Sequence, residues 1–141
     1  IVLLVMRKWR DACALITAGV LGMILSETTK ALVARPRPLD ALVTEHSFSY
    51  PSGHSMGAAL LTVSIALMIW SVRGSASPVT RWAFAGATIW MIAMMWSRTA
   101  LQVHWLTDTV AGALLGVSVA ILARMIFAYR APDARFVRAV A

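Results

Sequence analysis

The chain has 141 residues, of which 60% are hydrophobic and 13% charged, and its mean hydropathy is +0.75. So apolar a composition excludes an ordinary soluble domain and makes lipid the expected solvent. The net charge of +7, from 13 Lys and Arg against 6 Asp and Glu, has too little water-facing surface to form a nucleic-acid-binding face, so no nucleic-acid partner is expected.

Ile1 to Met6 reads as the end of an apolar segment, and residue 1 is Ile rather than Met, so a longer chain with upstream residues is expected. Four apolar stretches follow, at about 12–33, 55–72, 82–96 and 110–127. Each reaches or approaches the roughly 20 residues that a helix needs to cross ~30 Å of hydrocarbon. The third is long enough only if its helix starts near Val79, just after Pro78, and continues through Arg98. The predicted fold is all-α: a polytopic transmembrane helix bundle with about four full spans plus an N-terminal stub of another. The single cysteine, Cys13, lies in an apolar run and cannot form an internal disulfide.

Charge distribution gives an orientation. With alternating crossings, Arg7, Lys8, Arg10, Arg73, Arg81, Arg124, Arg130, Arg135 and Arg138 all fall on one side, which the positive-inside rule makes cytoplasmic. Lys30, Arg35, Arg37 and Arg98 then fall near the outer face together with His54, His104 and Asp108. A multi-pass cell membrane protein with its chemistry facing outside is the expectation. Trp9, Trp70 and Trp82 suit the inner interface, and Trp96 and Trp105 the outer one. Trp90 and Met91, Met94 and Met95 are mid-span, where packing or lipid contact is expected. The pairs Gly19 and Gly22, or Gly112 and Gly116, offer places for helices to approach closely, although small-residue pairs alone are a weak signal.

Three short polar segments hold nearly every residue able to do chemistry. In Lys30 to Pro38 the two prolines stop the preceding helix, so Lys30 and Arg37 bracket a helix end and can aim at one ligand. In Pro51-Ser52-Gly53-His54, Ser52 can cap the next helix, Gly53 lets a ligand approach the backbone, and the free N–H groups suit an anion. In Ser97 to Asp108, His104 and Asp108 stand four apart at a helix entry. There Asp108 can accept from His104 Nδ1–H and leave Nε2 free as a nucleophile. Taken singly each has a plainer role: the cations can snorkel to headgroups, His54 can neighbour a cap, and a His–Asp spacing of four is common. Two His and one Asp could also ligate a metal, but Lys30, Arg37 and Arg98 would repel a divalent ion and favour an oxyanion. No metal and no cofactor are expected.

Lys30 with six residues then Arg37-Pro38, Pro51-Ser52-Gly53-His54, and Ser97-Arg98 with five residues then His104 with three then Asp108 together resemble, in order, the tripartite signature of the type 2 phosphatidic acid phosphatase superfamily. The resemblance implies a single membrane-embedded phosphatase domain over residues 1–141 with its catalytic core at 30–108. His104 would be the nucleophile that becomes a phosphohistidine, oriented by Asp108, and His54 would protonate the departing lipid oxygen. Lys30, Arg37 and Arg98, with Ser52 and the Gly53 backbone, would hold the phosphoryl oxygens. Implied substrates are lipid phosphates: undecaprenyl diphosphate, phosphatidylglycerol phosphate or phosphatidate. Membrane members commonly have six helices, which again points upstream for the remainder. Competing readings are a lipid phosphotransferase, a vanadium-dependent haloperoxidase-like enzyme, and a non-catalytic phospholipid-binding membrane protein. Outside the signature, Arg35 is expected to meet headgroups, and Glu45 and His46 to face water.

Overall fold

The structure is a computed structural model and describes residues 9–128. Within them the chain forms four helices: α1 (Trp9–Val33), α2 (Gly53–Arg73), α3 (Pro78–Ala100) and α4 (Leu106–Ala128). No strand occurs among the described residues. The expected stub at Ile1 to Met6 lies outside them, as do Arg7, Lys8, Arg130, Arg135 and Arg138.

Helix ends fall where the local chemistry puts them. Helix α1 stops before the two prolines; Ala34 turns left-handed at φ 46° while its N–H still reaches the Lys30 carbonyl at 2.9 Å. At the start of α2 the Ser52 hydroxyl accepts the Ser55 N–H. Pro78 opens α3 in the first turn, where its missing N–H costs nothing, and the helix runs past Arg98.

Helices α1, α2 and α4 are long and apolar enough to cross a membrane. Helix α3 is long enough at 23 residues but less apolar; Trp82, Trp90 and Trp96, together with Thr80, Thr88, Ser97 and Thr99, dilute its aliphatic content. Large side chains point outward on all of them: Ile16, Ile24, Leu61, Ile89, Trp90, Leu114 and Ile126 are exposed, whereas Ala12, Ala18, Ala59, Ala66, Ala113, Ala120 and Ala123 are buried. Lipid offers no hydrophobic drive for helices to pair, so close packing through small residues takes its place.

Helix α2 touches all three other helices, while α1 and α3 do not touch each other. Around α2 a small core gathers Ala18, Met56, Leu60, Val119 and Ala123. Of the candidate close-approach glycines, Gly112 and Gly116 serve that purpose. A Cβ at Gly112 would collide with the Ser52 carbonyl oxygen, and one at Gly116 would collide with the Met56 carbonyl oxygen and lie 2.9 Å from Leu60 N. Gly22 faces only the ends of Leu60 and Met56, and Gly19 has nothing within 4 Å. At one end of the bundle Arg124 pairs with Asp11, joining the last turns of α4 to the first of α1; the polar segments gather at the other end.

Gly112→Ala is therefore expected to destabilise the protein by about 3 kcal/mol or more, because backbone and not a flexible side chain must yield. Gly19→Ala should be neutral or mildly stabilising. Thermal unfolding in detergent checks the contrast, and equal melting temperatures for the two variants would refute it.

Candidate active site

The three polar segments converge. Leu42 N–H donates to the Leu101 carbonyl at 3.1 Å, tying the α1–α2 connection to the α3–α4 connection, and Ser52 N–H donates to the Asp108 carbonyl at 2.9 Å, tying the start of α2 to the start of α4. Arg35 reaches across from the first segment. Its Nη1 donates to Asp108 Oδ1 at 2.7 Å and to Thr107 Oγ1 at 2.6 Å, and its guanidinium lies 5.4 Å from the centre of the Trp105 ring. Trp105 in turn donates its indole N–H to the Pro36 carbonyl at 3.1 Å. Arg35 is thus part of the site's frame and not the headgroup contact expected of it.

Asp108 is fully buried, and both its oxygens are taken: Oδ1 by Arg35, Oδ2 by the Trp105 N–H at 2.9 Å. The expected hydrogen bond from His104 is not formed, since Nδ1 and Oδ2 stand 3.7 Å apart. His104 Nδ1 is instead 2.8 Å from the Ser49 carbonyl. A carbonyl can only accept, so Nδ1 carries the proton and Nε2 keeps its lone pair. The result expected of Asp108, a free Nε2, is reached through Ser49. That carbonyl is itself held, because Ser49 N–H donates to the Arg35 carbonyl at 2.9 Å and Ser49 Oγ reaches the Arg35 and Pro36 carbonyls at 3.1 and 3.0 Å.

His104 is 4% exposed, and burial lowers its pKa below the ordinary 6.5; Arg37 lowers it further, while the Ser49 carbonyl and the Asp108 charge oppose. Nη1 of Arg37 lies 3.4 Å from His104 Nε2 and donates to the Val103 carbonyl at 2.8 Å. The imidazole is thus biased towards its neutral form beside a permanent cation.

A cavity of about 250 Å³ is lined by Lys30, Arg37, Glu45, Ser47, Gly53, His54 and His104. Both histidines and two of the expected cations thus meet at one small chamber at the start of α2, where the helix presents unpaired N–H groups. Three expected residues stand apart, Asp108 in the frame already described among them. Ser52 is fully buried and acts as the helix cap, and Arg98 does not line the chamber; its Nε is buried with no hydrogen-bond partner. Glu45 is half-buried on the chamber wall and not the water-facing residue expected, while His46 is exposed as expected and borders a cavity beside it. Ser49 left no signal in the sequence because it acts through its backbone. Arg35 left one: a cation between Ala34 and Pro36, at a helix stop, is fixed in place.

A sequence profile of the PAP2 superfamily matches residues 11–132. The chain belongs to the PAP2 superfamily. It is 33% identical over 112 residues to the phosphatidylglycerophosphatase B of Bacillus subtilis (strain 168), which covers 79% of this chain and 55% of that protein. To the undecaprenyl-diphosphatase of Sulfolobus acidocaldarius it is 27% identical over 128 residues, covering 85% of this chain and 57% of that one. The crystal structure of a transmembrane PAP2-type phosphatidylglycerolphosphate phosphatase from Bacillus subtilis matches with a TM-score of 0.75 at 30% identity, over 85% of this chain and 60% of that one. The chain thus spans a little over half the length of the relatives it matches. With its apolar helices, this PAP2 superfamily member is an all-helical membrane protein. Among the described residues no three His, Cys, Asp or Glu gather as a metal site.

Two outcomes are expected. In a histidine NMR titration, His104 should titrate below the ordinary 6.5, and Arg37→Gln should move its titration upward, since a neighbouring positive charge is removed. Asp108→Asn should cost about 3 kcal/mol of stability by leaving Arg35 without its anion. Combined with Arg35→Gln, the loss should be less than the sum of the single losses; strict additivity in thermal unfolding would show that the pair does not couple.

Proposed function

We propose that this protein is a metal-independent lipid phosphatase working through a phosphohistidine. The observation that carries this reading is the pair of imidazoles, His54 and His104, on the wall of one chamber with Lys30 and Arg37. A site that only gripped headgroups would need the cations and neither histidine.

In the first step His104 Nε2 attacks phosphorus. The N–P bond forms, the bond from phosphorus to the lipid oxygen breaks, and His54 gives that oxygen its proton. The imidazole acquires positive charge as it is phosphorylated, and its Nδ1–H stays on the Ser49 carbonyl, 3.7 Å from Asp108. Lys30, Arg37 and the N–H groups opening α2 oppose the growing negative charge on the phosphoryl oxygens. Arg98 stands off the chamber with its Nε buried and unpartnered, and would serve the remaining oxygen only after its side chain turns towards bound substrate. In the second step water attacks the phosphohistidine, His54 takes the water's proton, and inorganic phosphate leaves with His104 restored.

The relatives' names support phosphatidylglycerol phosphate and undecaprenyl diphosphate as substrates. A bundle of four full spans with an upstream stub, placed in the cell membrane with the chamber facing outside, fits the 23-residue length of α3 and the grouping of Arg73, Arg81 and Arg124 at helix ends remote from the chamber.

Phosphate release from these lipids by the full-length protein in detergent should persist in the presence of a chelator, and His104→Ala should abolish it. Loss of activity on chelation, or a substantial residual rate in the variant, would remove this mechanism.

A further inference from the structure

Beside the chamber lies a second cavity of about 410 Å³ that shares Lys30, Arg37, Glu45 and Ser47 with it. Neither His54 nor His104 lines this extension, which adds Glu27, Ala31, His46 and Phe48 instead. Any part of the substrate that enters it therefore lies beyond the scissile phosphoryl, next to Glu27 and Glu45. Both cations at the junction already have a carboxylate: Glu27 Oε1 is 2.7 Å from Lys30 Nζ, and Glu45 Oε2 is 3.8 Å from Arg37 Nη2. Two positive charges face two negative ones, so the junction has charge to offer one phosphoryl group only after those carboxylates are displaced, and none for a second.

Resting on the phosphatase reading above, we infer that Glu27 and Glu45 determine specificity: they select a phosphomonoester carried on a hydroxylated, glycerol-like headgroup over a lipid diphosphate. Displaced carboxylates remain in the extension as hydrogen-bond acceptors. The glycerol hydroxyl donates to them and sets the lipid's phosphodiester a glycerol's length farther off, whereas the second phosphate of a diphosphate, joined directly to the first, meets them as an anion with acceptor oxygens and is repelled. Rejection of the alternative by an unmatched charge is a general route to specificity.

The test compares kcat/KM of the full-length protein for phosphatidylglycerol phosphate and for a polyprenyl diphosphate. Wild type should favour the monoester, and Glu27→Gln with Glu45→Gln should shift the ratio towards the diphosphate by about tenfold, as expected when like charges are removed from a partly screened cavity. An unchanged ratio, or a shift the other way, overturns the inference while leaving the phosphatase intact. A wild type that releases phosphate from neither lipid sinks the phosphatase reading and this inference with it. Should the double variant fail to fold, inhibition of the wild type decides: inorganic pyrophosphate should bind no more tightly than inorganic phosphate, and tenfold tighter binding of pyrophosphate overturns the assignment.

Discussion

Asp108 is the point at which the three polar segments are joined. Its carbonyl takes the N–H of Ser52, one carboxylate oxygen takes Arg35, and the other takes the N–H of Trp105. A fully buried carboxylate is costly unless every lone pair is met by a good donor. Here those donors come from the end of the α1 segment and the entry to α4, while the same residue's backbone holds the start of α2. Satisfying one charge thus fixes three loops, and the chamber is the space they enclose.

The packing below supports this junction. Gly112 and Gly116 let α4 lie against the backbone of α2 from Ser52 to Leu60, which sets the Ser52–Asp108 bond in register. Bulk is turned to lipid and small residues inward, so the helices approach closely where the site is built and the membrane face stays apolar.

Within the frame, two functions that one acidic residue could have combined are divided. Asp108 holds the architecture, and the Ser49 carbonyl sets the tautomer of His104. The division favours a neutral His104: Arg35 compensates much of the Asp108 charge, and burial with Arg37 nearby lowers the His104 pKa. Arg37 faces both ways, with hydrogen bonds to the Ser47 and Val103 carbonyls and a carboxylate beside it, so this cation on the chamber wall is firmly placed.

Composition, the apolar stretches and the three motifs determined the helical membrane class, the ends of α1 and α3, the Ser52 cap and the meeting of Lys30, Arg37, Gly53, His54 and His104 at one place. Those features depend on residue type and spacing along one segment, where proline, capping hydroxyls and length act locally. Tertiary structure decided which glycines carry a helix contact, that Arg35 and not His104 binds Asp108, that Arg98 stands off the chamber, and that Glu27, Glu45 and His46 line its extension. Each of these turns on a distance between residues far apart in the chain, or on a backbone carbonyl that every residue possesses. A motif records which side chains are present; only packing settles which of several donors within reach gets the one buried acceptor.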